Sequence, residues 1–254
     1  MLRTDGLTKR FGGVVAVEDV DFHLEEGELC SLIGPNGAGK TTFFDLLTGT
    51  LSPTEGRVEL RVDDEFRDVT DASPDEIARR GIHRSYQVTN IFPTTSVLEN
   101  VRIAAQAHGD DGGRLWRNVA AFEEYRTEAR EILERVGLAD QAQDPAETLS
   151  HGEKRHLEVA IALAGDPDVL LLDEPNAGVS SESVSAVVDL IEDVATDHAV
   201  LLVEHNMDVV MEVSDRIVVL HQGSVIADGD PAGIRGDERV QEAYLGGYGG
   251  GVEA

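Results

Sequence analysis

The stretch Leu29-Cys30-Ser31-Leu32-Ile33-Gly34-Pro35-Asn36-Gly37-Ala38-Gly39-Lys40-Thr41-Thr42 decides the fold. Its first five residues form a nearly continuous apolar run, which predicts a strand buried on both faces of a parallel sheet. Residues 34–41 then match the spacing G-x-x-x-x-G-K-[ST], and Phe43, Phe44, Leu46 and Leu47 follow on a helix. A strand, a glycine loop and a helix start together bring backbone N–H groups and a partial positive charge onto a phosphate group. Lys40 adds a point charge for the terminal phosphates, and the Thr41 hydroxyl suits a magnesium ion. Only three lysines occur among 254 residues (Lys9, Lys40 and Lys154), so the placement of one here carries weight.

Reading outward, Val169-Leu170-Leu171-Leu172 and Val200-Leu201-Leu202-Val203 are two more buried strands, with Val184, Val187, Val188 and Ile191 on a helix between them. Ile217–Leu220 and Val225–Ala227, separated by turn residues, read as a closing hairpin. Toward the N-terminus, Val15, Val17, Phe22 and Leu24 alternate with polar residues, as antiparallel strands do. Ser73-Pro74-Asp75-Glu76 has the form of a helix start, with serine as cap, proline first and glutamate third. Phe122, Tyr125, Ala129, Ile132, Leu133 and Val136 keep helical spacing, and residues 108–113 read as an exposed loop. The glycine-rich end, residues 246–251, reads as disordered. Strand–helix alternation predicts an α/β fold with a mostly parallel sheet and ligands beyond the carboxyl ends of its strands.

Chemistry collects at those ends. The strand Val169–Leu172 runs into Asp173 and Glu174, an acid to hold magnesium and an acid to orient and deprotonate water. Alone, two acids after a strand are also an ordinary solvated cap. His205 follows the next buried strand and falls on the same sheet edge, where a γ-phosphate contact competes with a merely exposed histidine. Gln87 lies where the core gives way to the helical region and is unremarkable by itself. Leu149-Ser150-His151-Gly152-Glu153 contains Ser-x-x-Glu before a helix, a capping box that also leaves a helix N-terminus for an anion. With a phosphate loop over a hundred residues earlier, this second anion site invites a two-chain arrangement.

Composition bounds the rest. Hydrophobic residues make up 41%, enough for a packed core, and no run reaches the roughly 18 apolar residues of a membrane span. The first residues carry no signal-like pattern, so the chain is expected to stay where it is made. The single cysteine, Cys30, lies in an apolar strand and fits a reducing compartment. Asp and Glu total 49 against 21 Lys and Arg, a net charge of −28. Such a polyanion is a poor nucleic-acid binder and is expected to be most comfortable in a salt-rich, halophilic cytoplasm.

Together these residues resemble the ATPase subunits of ABC transporters, from about Leu2 to Leu245. The resemblance implies a P-loop NTPase core with an N-terminal antiparallel β subdomain and an inserted helical subdomain. It divides the chain into 1–87 and 164–234 for the ATP-binding core, 88–163 for the helical subdomain with its signature, and 235–254 for a partly disordered tail. ATP and Mg²⁺ are the implied cofactors. Phe11 would stack on adenine with Val17 beside it, and the Walker A residues Gly34, Pro35, Asn36, Gly37, Ala38, Gly39, Lys40, Thr41 and Thr42 would hold the phosphates. Asp173, Thr41 and Gln87 would serve the metal, while Glu174 and His205 would be the base and the switch histidine. Ser150, Gly152 and Glu153 would cover the nucleotide of a second subunit packed head-to-tail.

Longer segments, among them "LSHGEKRHLEVAIALAGDPDVLLLDEP" and "ERVQEAYLGG", are similar to ATPases of branched-chain amino acid importers, with urea and amide importers as neighbours. That implies a peripheral location on the cytoplasmic face of the membrane, two multispan permeases and an extracytoplasmic solute-binding protein. Two departures stand out: His151 where glycine is usual, and Ser180 where aspartate is common, which points to pairing with a non-identical ATPase subunit. The rival readings are an ABC exporter, a P-loop kinase, which would lack the signature, and an ABC ATPase acting on nucleic acid or ribosomes. The last would usually carry coiled-coil insertions or a second cassette.

Overall fold

The computed structural model describes residues 1–85, 91–108, 119–179 and 184–246. The strands are β1 (Leu2–Phe11), β2 (Val14–Leu24), β3 (Leu29–Ile33), β4 (Glu55–Val62), β5 (Glu65–Asp68), β6 (Ile82–Ser85), β7 (Val169–Asp173), β8 (Ala199–Val203), β9 (Arg216–His221) and β10 (Ser224–Gly229). The helices are α1 (Lys40–Leu47), α2 (Pro74–Arg79), α3 (Val97–His108), α4 (Val119–Arg135), α5 (His151–Leu163), α6 (Val184–Ala195), α7 (Met207–Val213), α8 (Pro231–Gly236) and α9 (Glu238–Gly246).

Two sheets organise these elements. An antiparallel sheet has the order β2-β1-β4-β5, and a second has the order β10-β9-β3-β8-β7-β6. In the second, β6, β7, β8, β3 and β9 are parallel, and only β10 reverses, through the β9–β10 hairpin. The continuous apolar runs of β3, β7 and β8 follow from burial of both faces. Leu29, Leu170, Leu172, Val200 and Leu202 pack toward α3–α6, while Cys30, Leu32, Val169, Leu171 and Leu201 pack toward α1 and the antiparallel sheet. A strand with water on one side would alternate instead. On the second face Phe43 meets Phe22 edge-on at 5.5 Å, fixing α1 against β2; each buried ring contributes about 1.5–3 kcal/mol.

The expected helix start at Ser73 is present, with its N–H donating to Glu76 at 2.9 Å. In α4, Ala129 and Leu133 are buried one turn apart, as the spacing required. The described part of the segment expected to be a partly disordered tail is helical through Gly246. Ile234, Val240 and Ala243 are buried, and Ile234 and Val240 share a small core with Ile33, Val210, Ile217 and Val219, so α8 and α9 lie against the end of the strand that launches the glycine loop. Most of the glycine-rich end and most of the 108–113 tract lie outside the described residues. No described helix is long and apolar enough to cross a membrane. Burial pushes the Cys30 thiol up to about 12, which makes it an inert core residue.

Candidate active site

The glycine loop is shaped by what crowds it. A side-chain carbon on Gly34 would stand 2.1 Å from the carbonyl oxygen of Leu220 in β9, and one on Gly39 2.3 Å from that of Ala16 in β2. Gly39 also holds φ at 108°, a left-handed conformation that favours glycine, and it precedes Lys40 with no side chain capping the helix. The first N–H groups of α1 therefore remain for an external acceptor. The β9–β10 turn pins the loop from behind, with Gly223 N–H donating to Ala38 at 2.9 Å.

Lys40 is buried, and its Nζ donates to the carbonyls of Gly34 at 2.6 Å and Pro35 at 3.3 Å. Burial lowers the pKa of its ammonium, against the opposing pull of the Glu174 and Asp173 carboxylates. Glu174 shares a cleft with the lysine. An open cleft of about 270 Å³ is lined by residues 36–42, by Val14, Val15 and Ala16 of β2, and by Glu174, Val203 and His205.

Strand geometry aims the acids. Asp173 ends β7 and is buried; Glu174 leaves the strand at φ 51° while its N–H donates to Val203 at 2.8 Å. A non-glycine residue at positive φ stores strain and marks a constrained position. His205 follows β8, and its Nε2 lies 2.7 Å from Glu174 Oε1. A carboxylate oxygen only accepts, so His205 donates from Nε2. Behind them Glu204, 4% exposed, accepts from the N–H groups of Asn176 at 2.8 Å and His205 at 3.0 Å. This buried carboxylate ties the loop after Glu174 to the loop that carries the histidine.

Not every expected residue lines this cleft. Val17 has no exposed surface and belongs to the core, so it is removed from the nucleotide wall. A register shift in the β1–β2 pairing falls between Val15 and Val17, and Val14, Val15 and Ala16 form the wall in its place. Phe11 sits across the hairpin from Val14, 47% exposed, with Lys9 Nζ 5.2 Å from its ring centre. Pro35 faces a separate cleft, shared with His221, Gln222, Glu242 and Ala243, on the outer side of the loop. Gln87 and Ser180 fall outside the described residues. Ser150 caps α5 and is exposed, and neither it nor Gly152 lines the cleft of its own chain. The Glu153 carboxylate accepts from Ser150 N–H at 2.8 Å and from Gln141 at 3.3 Å. Those bonds aim it at its own helix start, and a carboxylate would repel a phosphate. Motifs did not mark Val203, which ends a strand already visible in the sequence, as a cleft residue, nor Glu204 just after it, nor Arg84, whose side chain is buried against Asp173.

For a cation the chain offers the Thr41 hydroxyl and the Asp173 carboxylate. Among the described residues no group of three or more His, Cys, Asp or Glu side chains could hold a metal ion. That donor set suits an ion that keeps waters and substrate oxygens, not one caged by protein.

A glycine loop between β3 and α1, faced by a carboxylate and a histidine from the next strand ends, defines a P-loop nucleotide hydrolase cassette. The ABC transporter family model matches residues 17–177, and that of the branched-chain amino acid ATP-binding cassette transporters matches residues 224–249. The high-affinity branched-chain amino acid transport ATP-binding protein LivG of Salmonella typhimurium is 40% identical over 255 residues, covering 97% of this chain and 98% of LivG. BraF of Pseudomonas aeruginosa, described in the same words, is 40% identical over 254 residues, covering 97% and 98%. The ADP conformation of MJ1267, an ATP-binding cassette of an ABC transporter, superposes with a TM-score of 0.84 at 29% identity, covering 97% of this chain and 98% of that one. This chain belongs to the ABC transporter ATP-binding family and is an ATP-hydrolysing subunit.

Proposed function

We propose that this subunit powers import of branched-chain amino acids, docked on the cytoplasmic face of the membrane beneath two multispan permeases fed by an extracytoplasmic solute-binding protein. The observation that carries this reading is the likeness to LivG over nearly the whole of both chains, including the C-terminal 224–249 segment outside the catalytic motifs. The chemistry is transfer of the γ-phosphoryl group to water. Lys40 and the loop amides hold the phosphates, and Phe11 with Val14 offers an apolar platform for the base. Thr41 and Asp173 are the residues to hold Mg²⁺, which when bound offsets charge on the phosphate oxygens. Glu174 orients and deprotonates the attacking water, and His205 steadies that carboxylate and reaches toward the γ-phosphate. Gln87 contributes to the metal and water from the point where the core gives way to the helical subdomain, residues 88–163.

The exposed start of α5, with Ser150 and Gly152 away from their own cleft, supports a head-to-tail pair in which each chain closes the other's site. Ser180, where aspartate is common, favours a non-identical ATPase as the second subunit, and His151 bears on the phosphate contact of the signature. A net charge of −28 speaks against a nucleic-acid substrate. Uptake assays test the substrate: a strain lacking this chain should lose labelled leucine uptake and regain it on complementation. Loss of urea uptake with leucine uptake intact would overturn the branched-chain assignment.

A further inference from the structure

The two residues read as magnesium arms stand on different elements. Thr41 lies in the first turn of α1 and Asp173 at the end of β7, and β8 separates β7 from β3, the strand that leads into α1. Arg84, on β6 at the other side of β7, spans the gap. Its Nη2 lies 2.6 Å from Asp173 Oδ2 and its Nη1 2.6 Å from Asp45 Oδ1, with its guanidinium 5.3 Å from the centre of the Phe44 ring. The Arg84 and Asp173 side chains are only 7% and 9% exposed, so solvent screens their pairing little. Burial works against the charge of Arg84, yet the two carboxylates raise its pKa above the ordinary arginine value.

Asp45 follows Thr41 by four residues, which places both on one face of α1, a turn apart. One arm of the guanidinium fork thus grips the helix face that carries Thr41. The other grips Oδ2 of Asp173 and leaves its Oδ1 to a cation. We propose that Arg84 is a positioning residue that sets the gap between Thr41 and Asp173, and so the strength with which the nucleotide-bound chain takes up a divalent cation. The proposal rests on the reading of those two residues as the metal arms. A lysine cannot replace the fork, since one ammonium does not hold two carboxylates in a fixed plane.

Mn²⁺ binding followed by electron paramagnetic resonance, on the full chain with a non-hydrolysable ATP analogue, tests this. Arg84→Gln and Arg84→Lys should both weaken Mn²⁺ binding by about 10–100-fold, the usual effect of losing a partner behind a metal ligand, while analogue affinity in EDTA stays within about twofold. Asp45→Asn removes the far anchor and leaves both arms in place. It should shift Mn²⁺ affinity in the same direction by less, and it decides the matter should the Arg84 variants fail to fold. Folded variants with wild-type Mn²⁺ affinity, or an equal loss of analogue binding in EDTA, would overturn the proposal. Asp173→Asn separates the two readings: if it too keeps wild-type Mn²⁺ affinity, the assignment of the metal arms fails whatever Arg84 does.

Discussion

His205 Nε2 and Glu174 Oε1 lie 2.7 Å apart, joining side chains from the loops after two adjacent parallel strands. The contact holds the carboxylate over the cleft lined by the glycine loop. Glu174→Gln keeps the shape and loses the proton acceptor. It should bind ATP with near wild-type affinity and lose about 10²–10⁴-fold in turnover, the usual contribution of a general base. Nucleotide binding by fluorescence beside phosphate release measures both, and wild-type turnover in this variant would remove Glu174 from its role.

Lys40 leads to a proton-linkage prediction. In the free chain, burial lowers the pKa of the ammonium from 10.5, so the folded protein holds this proton less firmly than an ordinary lysine does. Phosphate oxygens favour the charged form and raise the pKa again on binding. Binding in alkaline buffer approaching 10.5 should therefore take up protons, an effect that fades toward neutral pH, where Lys40 is charged in both states. Calorimetry in buffers of different ionisation enthalpy reads the sign. Net proton release in that range would contradict it. Lys40→Ala should weaken nucleotide binding and abolish the uptake.

Glu204 holds two loops through the N–H groups of Asn176 and His205. Glu204→Ala leaves these donors without their carboxylate and should cost about 1–3 kcal/mol of stability, as a buried unmet donor does. Turnover should fall too, because the loop carrying His205 loses its anchor. Denaturant unfolding with a phosphate-release assay covers both, and an unchanged midpoint would show that the carboxylate is dispensable.

The excess of carboxylates sets the salt response. Surface arginines such as Arg57, paired with Asp5 at 2.7 Å, already have partners, and a net charge of −28 remains to repel itself. Raising salt to about 1 M shortens the Debye length to about 3 Å and should raise the melting temperature. Surface ion pairs, worth about 0–1 kcal/mol each, lose less than the repulsion relieves. A melting temperature highest in the most dilute buffer would refute the halophilic reading.

Much of this was legible because the decisive patterns are local. An apolar run, eight residues with fixed glycines, a lysine and a hydroxyl, and a helix occupy one continuous stretch, and only glycine tolerates the backbone of Gly39. The acids at 173 and 174 end a strand whose buried run is visible in the chain. The same locality misled at Val17, where alternation alone does not say which face meets the ligand, and at the C-terminal end, where burial of Val240 depends on a distant strand.

By itself, then, the sequence determined the α/β class, the phosphate loop and the order of catalytic elements, since each is written within one strand–loop–helix unit. Tertiary structure alone decided that β8 stands between β3 and β7 and that β2 walls the cleft with Val14, Val15 and Ala16. It also decided that Arg84 joins Asp45 to Asp173. The reason is physical: strand order and contacts between residues far apart in the chain follow from burying both sheet faces at once, a condition that no single segment carries.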